Sequence, residues 1–186
     1  WVEVKRKELL DAIRSASGLW LEAMAASPSA TPGSAFRLNV TALVRAGSGA
    51  ALARVVVPWG KGEGLPAGAE LKLNEPVQGT ATVPVPEAAD VTQPHWLRAR
   101  PGKGLYSVPS PKDANRPDGA ALRVSFDVVM GGETLAYDVP VLFRRTDPVK
   151  GEEIRPFLVE PPVTVALEED VLVLPINNSS SENLAT

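Results

Sequence analysis

His95 is the only histidine in this chain of 186 residues, and there is no cysteine. A zinc site built from histidines needs two or three of them, and a thiolate site cannot be made at all. His95 could act as the base of a Ser-His-Asp triad, but no Gly-x-Ser-x-Gly elbow presents a serine to it. The simpler reading places His95 beside Trp96 at the start of a strand. Carboxylates cluster at Glu152/Glu153 and at Glu168/Glu169/Asp170. A glycosidase needs two carboxyls about 5–10 Å apart across a cleft, whereas adjacent residues on a strand point to opposite faces. These acids therefore read as solvated edges. Asp147, Glu152 and Glu153 surround a turn and could offer oxygens to calcium, although their spacing matches no known calcium loop. Arg98-Ala99-Arg100-Pro101-Gly102-Lys103-Gly104 is a basic, glycine-rich loop able to meet an anion. It lacks the helix start and the terminal Lys-Ser/Thr of a phosphate loop. No catalytic residue and no cofactor is expected.

The aromatic residues offer a different chemistry. Trp59 lies between Pro58 and Gly60-Lys61-Gly62, while Trp96 and Tyr106 flank the basic loop. Indole and phenol rings on loops can stack on pyranose faces, whose C–H groups meet the negative ring face. Trp59, His95, Trp96 and Tyr106 are thus candidate ligand-binding residues, with glycan the candidate ligand. The alternative is that Trp96 and Tyr106 plug one end of the fold as core.

Charge argues against nucleic acid as a partner. The formal net charge is -3, with 19 basic residues set against 22 acidic ones, and phosphate-backbone binding needs a net-basic face. No apolar run approaches the roughly 18 residues needed to span a bilayer. The chain opens Trp1-Val2-Glu3-Val4-Lys5 and closes on a Ser/Asn-rich stretch. Both ends are read as those of a fragment, without a signal peptide.

The elements that would position these residues follow from periodicity. Leu9, Ile13, Ala16, Trp20 and Met24 recur at helical spacing, which predicts one helix over residues 1–26 ending at Ser27-Pro28. Gly18 weakens that helix by about 1 kcal/mol relative to alanine, and a glycine there would allow another backbone to come close. From residue 35 the period becomes 2. Phe36 to Val44, Ala51 to Val57, Leu71 to Leu73, Thr80 to Val85, Leu122 to Met130, Leu135 to Phe143 and Ile154 to Val159 read as strands. Gly131-Gly132 signals a hairpin, and Pro156 marks an edge strand or a bulge. Short strands with turns between them, and no second helix, predict a mainly β fold. The expected form is an immunoglobulin-like antiparallel β-sandwich over residues 31–162. The helix would pack on it through Leu9, Ile13, Ala16 and Trp20.

Several segments, taken in order, carry a resemblance. They are Ser17-Gly18-Leu19-Trp20-Leu21-Glu22-Ala23, Pro32-Gly33, Gln93-Pro94-His95-Trp96-Leu97, Gly104-Leu105-Tyr106-Ser107-Val108, and Asp147-Pro148-Val149-Lys150-Gly151-Glu152-Glu153-Ile154-Arg155-Pro156, continuing to Pro161-Pro162-Val163. Over about residues 1 to 165 the chain resembles the C-terminal extension of large bacterial PIG-L-type deacetylases, the LmbE-like relatives of N-acetylglucosaminyl deacetylase. In that family a zinc-dependent N-terminal domain removes acetyl groups from amino sugars with an Asp-Asp pair and histidines. None of those motifs occurs here, so no catalytic position carries over. The resemblance implies a non-catalytic accessory domain with a docking role beside the deacetylase domain, in a periplasmic or extracellular setting. It also implies a following immunoglobulin-like module, with residues 163–186 holding its first strand, Val163 to Leu174. Left unpartnered, that strand is expected to pair with the domain's own edge or with a second copy, and residues from Asn177 onward are expected to be mobile.

Overall fold

The computed structural model describes residues 1–100, 102–106 and 121–165. Helix α1 spans Val2–Ser17 and is followed by β1 (Trp20–Ala25), β2 (Ser29–Ala30), β3 (Ala35–Leu43), β4 (Ala51–Val56), β5 (Ala69–Glu70) and β6 (Val77–Pro84). A 3₁₀ turn at His95–Leu97 precedes β7 (Arg123–Met130), β8 (Glu133–Asp147), β9 (Gly151–Pro156) and β10 (Leu158–Val159). The fold is mainly β with one N-terminal helix.

The helix is shorter than its periodicity predicts. Gly18 adopts φ 58° and ψ 33°, and the N–H groups of Gly18 and Leu19 donate to the carbonyls of Ser15 (3.1 Å) and Arg14 (2.9 Å). That pair of bonds is a Schellman cap, which closes a helix on a left-handed glycine. Residues 20–25 are strand, not helix. The sequence Leu19-Trp20-Leu21-Glu22-Ala23-Met24-Ala25 satisfies both periods, and pairing along the whole of β1 with β3 decides between them. Leu19, Leu21, Ala23 and Ala25 are buried, while Trp20 is 47% exposed and Leu9 61%. Ala16 is exposed as well. The helix instead rests on the body through Leu10, with Ile13 half-buried beside it. Arg14 donates to the carbonyls of Leu19 and Leu21, and the Tyr137 hydroxyl donates to that of Leu10 at 3.4 Å. Burial pushes the Tyr137 phenol above its ordinary pKa. The close approach expected at Gly18 is present, since a Cβ there would lie 2.8 Å from Cβ of Arg45.

The main sheet has eight strands in the order β5-β4-β7-β8-β1-β3-β6, with β9 also on β8. Most pairs are antiparallel, but β1 runs parallel to β8 and β2 parallel to β10, so the sheet is not antiparallel throughout. β8 holds β7 along residues 133–140, then β1 along 141–143 and β9 along 142–147. Gly131 (φ 59°) and Gly132 (φ 86°) form the two-residue hairpin turn between β7 and β8. Among the described residues β9 pairs only with β8, and it stops at Pro156, in keeping with its proline. One apolar cluster draws on β1, β3, β4, β6, β7 and β8, with Leu38, Leu52, Phe126 and Phe157 fully buried. The sheet curls nearly into a barrel: the segment after β5 bonds to the end of β3, Asn74 N–H to the Val44 carbonyl at 2.9 Å. Val163 and Val165 are exposed and outside any strand. The remainder of the expected strand to Leu174, and the tail from Asn177, lie outside the described residues.

Candidate functional site

The loop after β4 carries Trp59 and is held against β6. Gly60 N–H donates to the Val57 carbonyl (3.3 Å), Leu65 N–H to that of Gly62 (3.0 Å), and Gly68 N–H to that of Ala53 (3.0 Å). Backbone meets backbone at the seam. A Cβ on Gly64, where φ is +87°, would lie 2.4 Å from the Thr80 carbonyl oxygen, and one on Gly79 would lie 2.4 Å from Cδ of Pro66. Trp59 is half-buried and packs on the core cluster. Beside it is a hollow of about 460 Å³ lined by Trp59, Gly60, Lys61, Gly62, Glu63, Thr82 and Pro84. A second hollow of about 460 Å³ shares Glu63 and Thr82 and adds Arg37, Thr80 and Ala81. A third, of about 310 Å³, shares Gly60, Lys61 and Gly62 and reaches Arg54.

The strand register explains why polar groups gather there. Alternation buries Phe36, Leu38, Val40 and Ala42 and turns Arg37, Asn39 and Thr41 outward. On β6 the same rule turns Gln78, Thr80 and Thr82 outward. Register sets Arg37 against Thr82, Asn39 against Thr80, and Thr41 against Gln78. The Thr80 hydroxyl donates to Oδ1 of Asn39 at 2.9 Å. The outcome is a strip of guanidinium, amide and hydroxyl groups leading to an indole.

The other candidate residues lie elsewhere. Trp96 is 42% exposed in the 3₁₀ turn and Tyr106 57% exposed, so neither is a core plug. Neither lines the Trp59 hollow. His95 belongs to the same turn as Trp96, and its side chain lies outside the described residues. The basic loop is exposed at Arg98–Arg100 and again at Gly102–Gly104. Sequence reasoning missed the wall of the hollow, Arg37, Thr80 and Thr82. It also missed Trp20 as an outward aromatic on β1. The signal for Trp20 was the alternation of Leu19, Leu21, Ala23 and Ala25.

The acidic turn is occupied by the protein's own donors. Oδ1 of Asp147 accepts the N–H groups of Val149 and Lys150, both at 2.8 Å. Glu153 pairs with Arg145 at 2.6 Å and with Arg155, and Glu152 pairs with Arg144 at 3.0 Å. Arg144 also pairs with Glu22 on β1. Among the described residues no group of three or more acidic or histidine side chains is placed to hold a metal ion. The bonds from Arg155 and Arg145 hold the Glu153 carboxyl below its ordinary pKa, and the two backbone bonds do the same for Asp147. A carboxyl with a lowered folded pKa contributes stability above its unfolded pKa and loses it as pH falls through the folded value. Melting temperature is therefore expected to fall as pH drops below the ordinary carboxylate range near about 4. In Glu153→Gln/Asp147→Asn that fall should be shallower. The difference should be small and shrink in high salt, because both groups are exposed. Parallel melting curves for the two proteins from neutral to acid pH check this.

No family model, no curated protein and no solved structure matches the chain. No helix among the described residues is long and apolar enough to cross a membrane.

Proposed function

We propose that this chain is a non-catalytic accessory domain of a PIG-L-type deacetylase, which docks on the zinc-dependent domain through α1. The observation that carries the reading is the outward apolar surface of the helix. Trp1 is 88% exposed, Val2 74% and Leu9 61%. Val2 and Leu9 are seven residues apart, close to two turns, and so share one stripe. Bare apolar groups on a helix fixed by its far end are a ready contact for a neighbouring domain. The ordered segments that resemble the family extension add the identity of that neighbour. The proposal further takes the curled sheet as an immunoglobulin-like sandwich, with β8 shared between its two layers. It places the protein in the periplasm or outside the cell, with an immunoglobulin-like module to follow.

Two results are expected. The isolated chain should bind no stoichiometric zinc and release no acetate from N-acetylglucosamine substrates; one tightly held zinc per chain in elemental analysis would count against the reading. Titrated against the deacetylase domain of the same protein, the chain should bind, and Trp1→Ser/Leu9→Ser should weaken that binding about tenfold or more. Both substituted positions are exposed, so the chain's own melting temperature should hardly change. Binding equal to that of the unsubstituted chain would refute docking through α1.

A further inference from the structure

We infer that the trough beside Trp59 binds a glycan chain, with the indole stacked on a pyranose ring and the outward groups of β3 and β6 bonded to sugar hydroxyls. The two hollows of about 460 Å³ adjoin at Glu63 and Thr82, and the proposal takes them together as one trough. A pyranose ring offers C–H groups to an aromatic face and hydroxyls that both donate and accept. The trough answers each need. Trp59 gives a half-buried aromatic ring braced by the core, which costs little entropy to present. Arg37 and Lys61 donate, Glu63 accepts, Thr82 does either, and Thr80, whose hydrogen goes to Asn39, accepts. The Thr80 hydroxyl occupies Oδ1 of Asn39, leaving that amide's N–H₂ group to donate.

Other ligand classes fit less well. An anionic polymer needs a row of positive charges along its backbone, and here only Lys61 and Arg37 are basic, in a lining that also holds Glu63. A peptide adding as a strand to β6 needs its free edge, and Gly64 and Pro66 already press against Thr80 and Gly79 there. The trough is also preformed, because the loop bonds and the Gly64–Thr80 seam fix its wall. This inference concerns a surface distinct from α1 and stands apart from the docking proposal.

The test is titration of the chain with chitohexaose and with cellohexaose, followed through its four indole N–H resonances and its backbone amides by NMR. The Trp59 indole and the Thr80 and Thr82 amides should shift with at least one hexasaccharide. Trp59→Ala should weaken binding about tenfold or more, and Arg37→Ala by a few-fold. Since Trp59 packs on the core, Thr82→Arg is the second variant: it fills the trough from an exposed position and should abolish binding without lowering the melting temperature. Trp96→Ala and Tyr106→Ala should bind as the unsubstituted chain does. The inference is overturned if neither sugar shifts these resonances at millimolar concentration. It is equally overturned if the shifts centre on Trp96 and Tyr106, or if Thr82→Arg binds undiminished. None of these outcomes bears on α1, so the two proposals fail separately.

Discussion

Gly64→Ala should lower the stability of the domain by about 3 kcal/mol, against about 1–2 kcal/mol for Gly68→Ala in the same loop. Both glycines have positive φ, +87° and +65°, a region that costs any L side chain. They differ in what surrounds them. A Cβ at Gly68 meets nothing within 4 Å, whereas one at Gly64 lies 2.4 Å from the Thr80 carbonyl oxygen. That oxygen belongs to a strand paired with β3, so it cannot retreat without disturbing the ladder, and the loop must lift instead. Chemical denaturation of the two variants separates the terms: the φ penalty is common to both, and the excess in Gly64→Ala is the steric one. Equal losses would mean that the loop does not lie against β6. Lifting the loop would also open the Trp59 trough, so Gly64→Ala should lose glycan binding in step with its stability.

Phe157→Ala should have the largest effect of any single change considered, about 3–5 kcal/mol. The ring is fully buried and stacks on Phe36, with centroids 4.2 Å apart and planes 29° from parallel. Its removal deletes a large apolar surface and leaves a cavity that a sheet paired on both sides cannot collapse to fill. The stacked pair is lost as well. Phe157 also fixes the chain's return across the body. Its N–H donates to the Val141 carbonyl at 3.0 Å, Leu158 N–H to that of Pro28 at 3.2 Å, and Glu160 N–H to that of Ala30 at 3.0 Å. Thr92 ties in from the other side, its N–H donating to the Val159 carbonyl at 2.8 Å and its hydroxyl accepting Val159 N–H at 2.9 Å. Amide exchange at residues 157–160 should therefore accelerate more than exchange in β7. A loss under about 1 kcal/mol would place Phe157 outside the core.

The sequence was most readable where only one pattern was available. Val124, Phe126 and Val128 alternate with polar neighbours and end on Gly131-Gly132, and the result is a strand and a two-residue hairpin. Residues 19–25 were misread because their apolar residues fit a helical stripe and a strand equally. The choice is made by β3 and by a parallel contact with β8, whose residues 141–143 come from the far half of the chain. No local rule contains that contact. Trp59 stood out as an aromatic in a glycine-rich loop, and it is among the residues that line a hollow. Its wall was hidden, because Arg37, Thr80 and Thr82 become part of it only once Gly64 and Pro66 seat the loop on β6. Trp96 and Tyr106 were grouped with Trp59 by residue type alone, and the fold places them outside its hollow. Glu152 and Glu153 read as a solvated edge that, with Asp147, could offer oxygens to calcium, and their spacing gives no sign of Arg144, Arg145 and Arg155, which hairpin pairing brings alongside.

The proposed docking role is tested most directly by amide hydrogen exchange over Val2–Ser17, measured in this chain alone and with a PIG-L-type deacetylase domain added. In the chain alone the first turns bear exposed Trp1 and Val2, and the bonds that tie the helix to the body start from Leu10 and Arg14. They should exchange quickly. With the deacetylase domain added, exchange over residues 2–9 should slow about tenfold or more as the helix is covered, and Trp1→Ser/Leu9→Ser should restore the fast rate. Equal exchange with and without the domain would contradict docking through α1.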